Sequence, residues 1–336
     1  GVAGALWIAR QAGFENLLTF DMGGTSTDVC LIRDGLAQTR RDTTVGDLTV
    51  RASSLDVRSV GAGGGSIAHV PELTKALRVG PESAGADPGP AAYAKGGSAP
   101  TVTDANVVLG YLPASSRLGG DMQIDRAKAE AAVGAIAEAL DFSVERAAQG
   151  IYDIVNENMV GALRLVSVQQ GNDPRDFALI AFGGAGPLHG NALARILDCW
   201  PVIVPPGPGV LCAYGDATTR SRDEASRSLM RRFSQTSAAE VGEIFADLSA
   251  AAARTLDAEG IAETERSTSY EVDVRYSGQV LSLPVAVDID AFRENGLAHI
   301  GDSFDALHEK LYTFALESER EIINLRAIVQ GRETLA

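Results

Sequence analysis

Apolar positions recur along the chain with two different periods. In VAGALWIARQ the spacing is helical and predicts a helix over residues 2–11, stopped by Gly13. LLTFD is short and almost continuously apolar, which predicts a buried strand, and DVCLIRDG predicts a second. Asp34-Gly35 is a hairpin signal, so a third strand is expected over 36–41, making a β-meander. From Ser53 to Gly120 the periodicity lapses into Gly, Pro, Ala and Ser. Long ordered loops with short elements are expected there, and such loops in a compact protein usually carry function.

Helical spacing returns in DRAKAEAAVGAIAEAL, capped by Asp125, and again from Val144 to Gln170, with Ser143 as cap and Gly171 as stop. FALIAFGG then predicts a buried strand, residues 186–197 a helix, and VIVPP another strand. Strand, glycine turn, helix and strand in that order imply an α/β layer with a parallel crossover. Past Tyr214 the stretch GDATTRSRDEASRSLMRR is polar and charged, as a crossing between domains or layers would be. A helix over 238–258 follows, then two alternating strands about Ser277-Gly278, a helix over 300–312 and a strand in REIINLRAIVQG. The expected organisation is an α/β domain over 1–214 and an α+β extension over 215–336.

Composition narrows the classes. The 336 residues are 45% hydrophobic and 22% charged, as in soluble globular proteins of one large domain or two. A net charge of −15 argues against nucleic acid and anionic membranes as partners. No apolar run approaches the roughly 20 residues of a membrane span. GVAGALWIARQAGF has no initiating Met and no basic segment before a long apolar core, so a piece of a longer chain is expected rather than a signal peptide. Cys30, Cys199 and Cys212 form no CxxC pair; each is expected to be a small core residue in a reducing, cytoplasmic setting.

The candidate chemistry lies in two glycine turns. TFDMGGTSTDVCLI passes from strand to strand through Gly23 and Gly24, with Asp21 before the turn and Asp28 after it. Glycines let backbone N–H groups approach an anion, and Thr25, Ser26 and Thr27 add hydroxyl donors for phosphate oxygens. Asp21 suits a hydrated magnesium ion or an attacking water, so the acids make sense if the anion arrives with its metal. Asp28 can instead tie the hairpin to its neighbour, and a plain hairpin uses the same turn residues. The second turn, AFGGAGPLHG, follows a strand and opens a helix; Gly183, Gly184 and Gly186 allow close approach and Pro187 suits a first helical turn. It is neither a Rossmann fingerprint nor a Walker motif, and a tight strand-to-helix turn needs the same residues. His189 is expected to be a helix residue with a local hydrogen bond.

Together the two turns resemble those of the actin, sugar kinase and heat-shock ATPase superfamily. Within it, FDMGGTSTDV, GAGGGSIA, GPESAGADPGPAAY, PTVTDANVVLGYL, AFGGAGPLHG and VIVPPGPGVLCAYGDA look like the hydantoinase A / 5-oxoprolinase family, and DVRYSGQ, FDALHEKLYTF and INLR extend the likeness. The resemblance implies an actin-like (ribonuclease H-like) ATPase domain, part of an ATP-dependent amidohydrolase opening a cyclic amide of hydantoin or 5-oxoproline type. Subunits of ketone carboxylases are similar, and a nucleotide-binding module without activity of its own is a further alternative. The implied cofactors are ATP and Mg2+. Asp21 becomes the metal- or water-orienting acid and Asp28 a second candidate; Gly23, Gly24, Thr25, Ser26 and Thr27 cradle phosphate; Gly183, Gly184, Ala185 and Gly186 back the adenosine.

Such enzymes carry two phosphate hairpins, and this chain has one, so it resembles the second half of the clamshell. Implied partners are the N-terminal half and a hydantoinase B-type subunit or domain. The loops GAGGGSIA and ESAGADPGP either shape the substrate region or serve as scaffolding, Asp87 included. Asp104 is expected to cap a helix. Arg275 and His308 lie in family-like segments without derivable chemistry, and Thr313 stands where a glycine is expected.

Overall fold

The computed structural model describes residues 1–45 and 47–332, with backbone only for 41–45 and 49–53. The chain divides into two compact units, Gly1–Thr218 and Thr219–Ala336. No helix among the described residues is long and apolar enough to cross a membrane.

The first unit is built in chain order from α1 (Val2–Gln11), β1 (Leu17–Met22), β2 (Thr27–Arg33), β3 (Leu36–Ala37), β4 (Thr39–Val45), β5 (Leu48–Leu55), β6 (Arg58–Val60), β7 (Ser66–His69) and β8 (Arg78–Ser83). Then come α2 (Val102–Val108), β9 (Arg117–Leu118), β10 (Met122–Gln123), α3 (Arg126–Leu140), α4 (Val144–Val166), β11 (Ala178–Phe182), α5 (Gly186–Leu197), β12 (Val202–Ile203) and α6 (Leu211–Thr218). The main sheet runs β12-β11-β1-β2-β3, with β6 also on β2. β1 is antiparallel to β2 and parallel to β11, which is parallel to β12.

Strand alternation assigns the two faces. Leu17, Ile180 and Phe182 pack with Ala5, Ala9 and Leu211 of α1 and α6. Leu18, Phe20, Met22, Leu179 and Ala181 pack with α2, α3, α4 and α5 on the other side. Both faces are covered, which is why LLTFD and FALIAF read as continuous apolar runs. Each fully buried Leu or Phe contributes about 1.5–3 kcal/mol by leaving water. The meander is shorter than its sequence pattern suggests: β3 has two residues, and β4 and β5 form a separate ribbon. The long helix also ends early. Its last α-helical residue is Val166; Ser167 turns its hydroxyl back to the Leu163 carbonyl, and a 3-10 turn carries the chain to Gly171.

The second unit comprises β13 (Arg222–Arg232), α7 (Ala238–Ala258), β14 (Arg266–Tyr276), β15 (Leu283–Val287), α8 (Ile289–Asn295), α9 (Leu297–Tyr312) and β16 (Arg320–Gly331). Its antiparallel sheet runs β13-β16-β14-β15, and Phe245, Phe292 and Phe304 of the helices pack on Val272, Tyr276, Ile322 and Leu325. The charged stretch after Tyr214 contains the boundary between the two units, as expected of a crossing, but most of it is regular structure rather than loop. It finishes α6 and becomes β13, an edge strand, where charged side chains cost little and discourage pairing with another chain. Thr313 caps α9 in the left-handed region at φ 68°, the conformation a glycine would supply without strain.

Candidate functional site

The hairpin and the second glycine turn are neighbours because β1 pairs with both β2 and β11. Asp21 stands opposite Asp28 on one side and Phe182 on the other. The chain leaving β11 must then cross the end of β1. The Ala185 amide donates to the Met22 carbonyl at 2.9 Å, and Gly183, at φ 83°, lies so close that an added Cβ would be 2.5 Å from Asp21 Oδ1. A side chain at residue 183 would meet both the wrong backbone region and a carboxylate.

A third glycine segment seals the tip. The amides of Gly64 and Gly65 donate to the carbonyls of Gly23 and Gly24 at 3.0 and 2.6 Å. A Cβ on Gly63 would lie 2.6 Å from the Thr25 backbone, so GAGGGSIA is backbone-on-backbone packing against the hairpin. The Gly64 carbonyl in turn accepts from the Thr103 amide and hydroxyl at 2.7 and 2.8 Å, tying the tip to α2.

Gly24 and Gly184 line one cleft of about 300 Å³, with Gly23, Ala185, Thr103 and Asn106 among its other walls. A Cβ at Gly24 or Gly184 would touch nothing within 4 Å. Both positions are exposed, as are Thr25 and Ser26 at the hairpin tip. The structure thus brings the two turns together on the face of the sheet that carries α2.

Other candidates sit elsewhere. Thr27 is fully buried and its hydroxyl donates to the Ala62 carbonyl at 2.6 Å, so that group holds the hairpin and does not face a ligand. Gly186 is buried against the Phe20 carbonyl as the first residue of α5. Asp28 accepts a short hydrogen bond from Ser59 on β6, the structural role its position allows. Asp21 does not line the cleft. It lies toward the α1 and α6 side, where the Cys212 thiol donates to its Oδ2 at 3.3 Å. Burial pushes the Asp21 carboxyl up, the Cys212 hydrogen bond opposes this, and the Asp28 charge reinforces it.

Cys212 corrects a sequence expectation: Cys30 and Cys199 are buried, but Cys212 is exposed and touches Asp21. Nothing in a lone cysteine far along the chain announces that contact. Asp104 caps as expected, in a capping box with Thr101, and its buried carboxylate also accepts the amides of Ala91 and Ala92. Asp87 is exposed. His189 is a residue of helix α5, as expected, but its ring bonds far along the chain: it is fully buried between Asn156 and Asn106, at 2.8 and 3.1 Å from its two ring nitrogens. Burial pushes its imidazolium pKa down to about 3. In the second unit, Arg275 pairs with Glu321 at 2.9 Å, and His308 sits among Tyr276, Phe304 and Phe314.

Residues 1–225 match the hydantoinase/oxoprolinase family profile. The chain belongs to that family. Caprolactamase subunit alpha of Pseudomonas jessenii is 37% identical over 332 residues, 97% of this chain and 48% of that protein. Acetophenone carboxylase gamma subunit of Aromatoleum aromaticum is 37% identical over 83% of this chain and 39% of that protein. The crystal structure of ATP-dependent caprolactamase from Pseudomonas jessenii superimposes with a TM-score of 0.84 at 36% identity, covering 99% of this chain and 49% of that one. The family member described here therefore has the actin-like ATPase fold of that enzyme and spans about half the length of the relatives it matches.

A divalent cation fits the site only in one style. Among the described residues no group of three or more His, Cys, Asp or Glu could hold a metal. Magnesium keeps several waters and typically takes one or two carboxylates plus substrate phosphates, which Asp21 with a nucleotide would satisfy.

Proposed function

We propose that residues 1–214 supply one wall of an ATP site in an enzyme that spends ATP to open a cyclic amide, with residues 215–336 as an appended α+β extension. One observation carries this: the hairpin tip and the β11–α5 turn meet, so that Gly24 and Gly184 line one cleft while Asp21 abuts Gly183. The family membership and the caprolactamase relative support an amide as the group acted on.

An amide carbonyl is a poor electrophile. Transfer of the terminal phosphoryl group of ATP to that oxygen releases ADP and turns the oxygen into a leaving group. Water then adds at carbon and the ring C–N bond breaks, the nitrogen leaving with a proton as the amine and the carbon left as an acyl phosphate; a second water cleaves that to carboxylate and inorganic phosphate. Such transfer depends chiefly on positioning and charge neutralisation. The exposed amides and hydroxyls of Gly24, Thr25 and Ser26 would bind phosphate oxygens, and the Gly183–Ala185 turn would back the nucleoside. Asp21 would hold Mg2+ or orient water; the ion, when bound, supplies positive charge to the phosphates.

The wall given by this chain needs donors from a second one, supplied by the N-terminal half of the clamshell, with a hydantoinase B-type subunit or domain as a further partner. The chain alone should bind Mg-ATP weakly and turn it over barely, because water is not excluded and the reacting groups are not aligned. Calorimetric titration beside a steady-state ATPase assay tests this. Tight binding with robust turnover would refute it. A second reading, a ketone carboxylase subunit, is favoured by the acetophenone carboxylase relative. Comparing ADP release with caprolactam, hydantoin, 5-oxoproline and acetophenone, in the presence of the partner wall, separates the two.

A further inference from the structure

Deep in the cleft wall, one polar atom has no partner. Asn106 on α2 is 1% exposed and lines the cleft, and its Oδ1 accepts no hydrogen bond among the described residues. A buried carbonyl without a donor costs stability and calls for an explanation.

The orientation of that amide follows from a chain of hydrogen bonds. Asn156 Oδ1 lies 2.8 Å from His189 Nδ1; an amide oxygen can only accept, so Nδ1 carries the ring hydrogen and donates it. Nε2 is left as the acceptor, taking a proton from Asn106 Nδ2 at 3.1 Å. The sequence of donors ends at Asn106 Oδ1, held facing outward from the relay as an acceptor.

We infer that Asn106 is a base-selecting residue: its carbonyl accepts a hydrogen bond from the 6-amino group of an adenine ring lodged against Gly184 and Ala185, in the cleft that Asn106 also lines. This rests on the nucleotide reading of the cleft. The rest of the wall favours a flat, largely apolar group over a sugar, since Leu112, Leu118, Met122 and Leu188 line it with the ring of Tyr93. A purine with an oxygen at the same position would set acceptor against acceptor and leave both unpaired.

The test is ligand-observed NMR on the chain, which follows weak as well as tight binding, with ATP, ITP and 2′-deoxy-ATP as probes. ATP should bind about tenfold or more tightly than ITP, and 2′-deoxy-ATP should match ATP. Asn106→Ala should weaken ATP to the level of ITP while leaving ITP unchanged, and retained ITP binding shows that the variant is folded. Equal binding of ATP and ITP to the unaltered chain would overturn the inference without touching the nucleotide reading, and needs no variant. Loss on removing the 2′-hydroxyl, with no ATP/ITP difference, would assign Asn106 to the ribose and also overturn it. If none of the three nucleotides bound, the nucleotide reading itself would fall, and the base contact with it.

Discussion

The thiol of Cys212, on α6, donates a hydrogen bond to the carboxylate of Asp21, at the end of β1, across 3.3 Å. The other two cysteines are buried, so one thiol in three reports on this acid. A small maleimide should label one thiol in the native protein and three after denaturation, read by intact mass. Mg-ATP should slow that single labelling. Labelling at equal rate with and without nucleotide would remove Asp21 from the nucleotide's surroundings.

Asp21 itself should matter for turnover more than for binding. Asp21→Asn keeps the size and removes the charge that would hold metal or orient water. In the ATPase-competent assembly, turnover should fall about a hundredfold or more while ATP affinity changes little. Steady-state kinetics beside equilibrium titration separate the two; unchanged turnover would make Asp21 structural.

The glycines divide into two kinds. Gly183→Ala should destabilise the fold by about 2 kcal/mol or more, through its positive φ and the carboxylate an added Cβ would meet. Gly24→Ala and Gly184→Ala have free space for the methyl group and should leave the melting temperature unchanged. If phosphate and nucleoside approach those backbones, the same two changes should weaken ATP binding. Wild-type affinity in both would rule out close approach there.

His189 makes stability depend on pH. Its pKa lies near 3 in the fold, below the ordinary 6.5, so the unfolded chain binds a proton that the fold refuses. The neutral imidazole's contribution is complete above the unfolded value and is lost as pH falls through the interval toward 3. Relative to neutral pH, about 2 kcal/mol should be gone by about pH 5. Urea unfolding of the wild type and His189→Gln at both pH values checks the sign: the variant should lose less.

Thr313 offers a gain. A β-branched residue in the left-handed region is strained, and glycine is not. Thr313→Gly should stabilise the second unit by about 1 kcal/mol, after glycine's own entropic cost. A melting temperature raised by a few degrees would agree; a lowered one would show that the threonine is held by contacts worth more than the strain.

Much of this protein was legible in order along the chain. Period and capping residues are local, so Asp125 and Ser143 mark the starts of α3 and α4, and Asp34-Gly35 marks a hairpin, without reference to anything distant. Glycine turns beside a strand end are also local, which is why Gly23, Gly24 and Gly184 could be named from the sequence. The tertiary structure decided what those residues face. Parallel pairing of β1 with β11, across more than a hundred intervening residues, brings Gly183 onto Asp21; no local pattern encodes which strand will be the neighbour. The same distance hid the Cys212 contact, the burial of the Thr27 hydroxyl under Ala62, and the Asn156–His189–Asn106 relay. Local propensity sets backbone conformation, but a side chain's partner depends on packing between elements far apart in sequence, and hydrogen-bond geometry exists only once they meet.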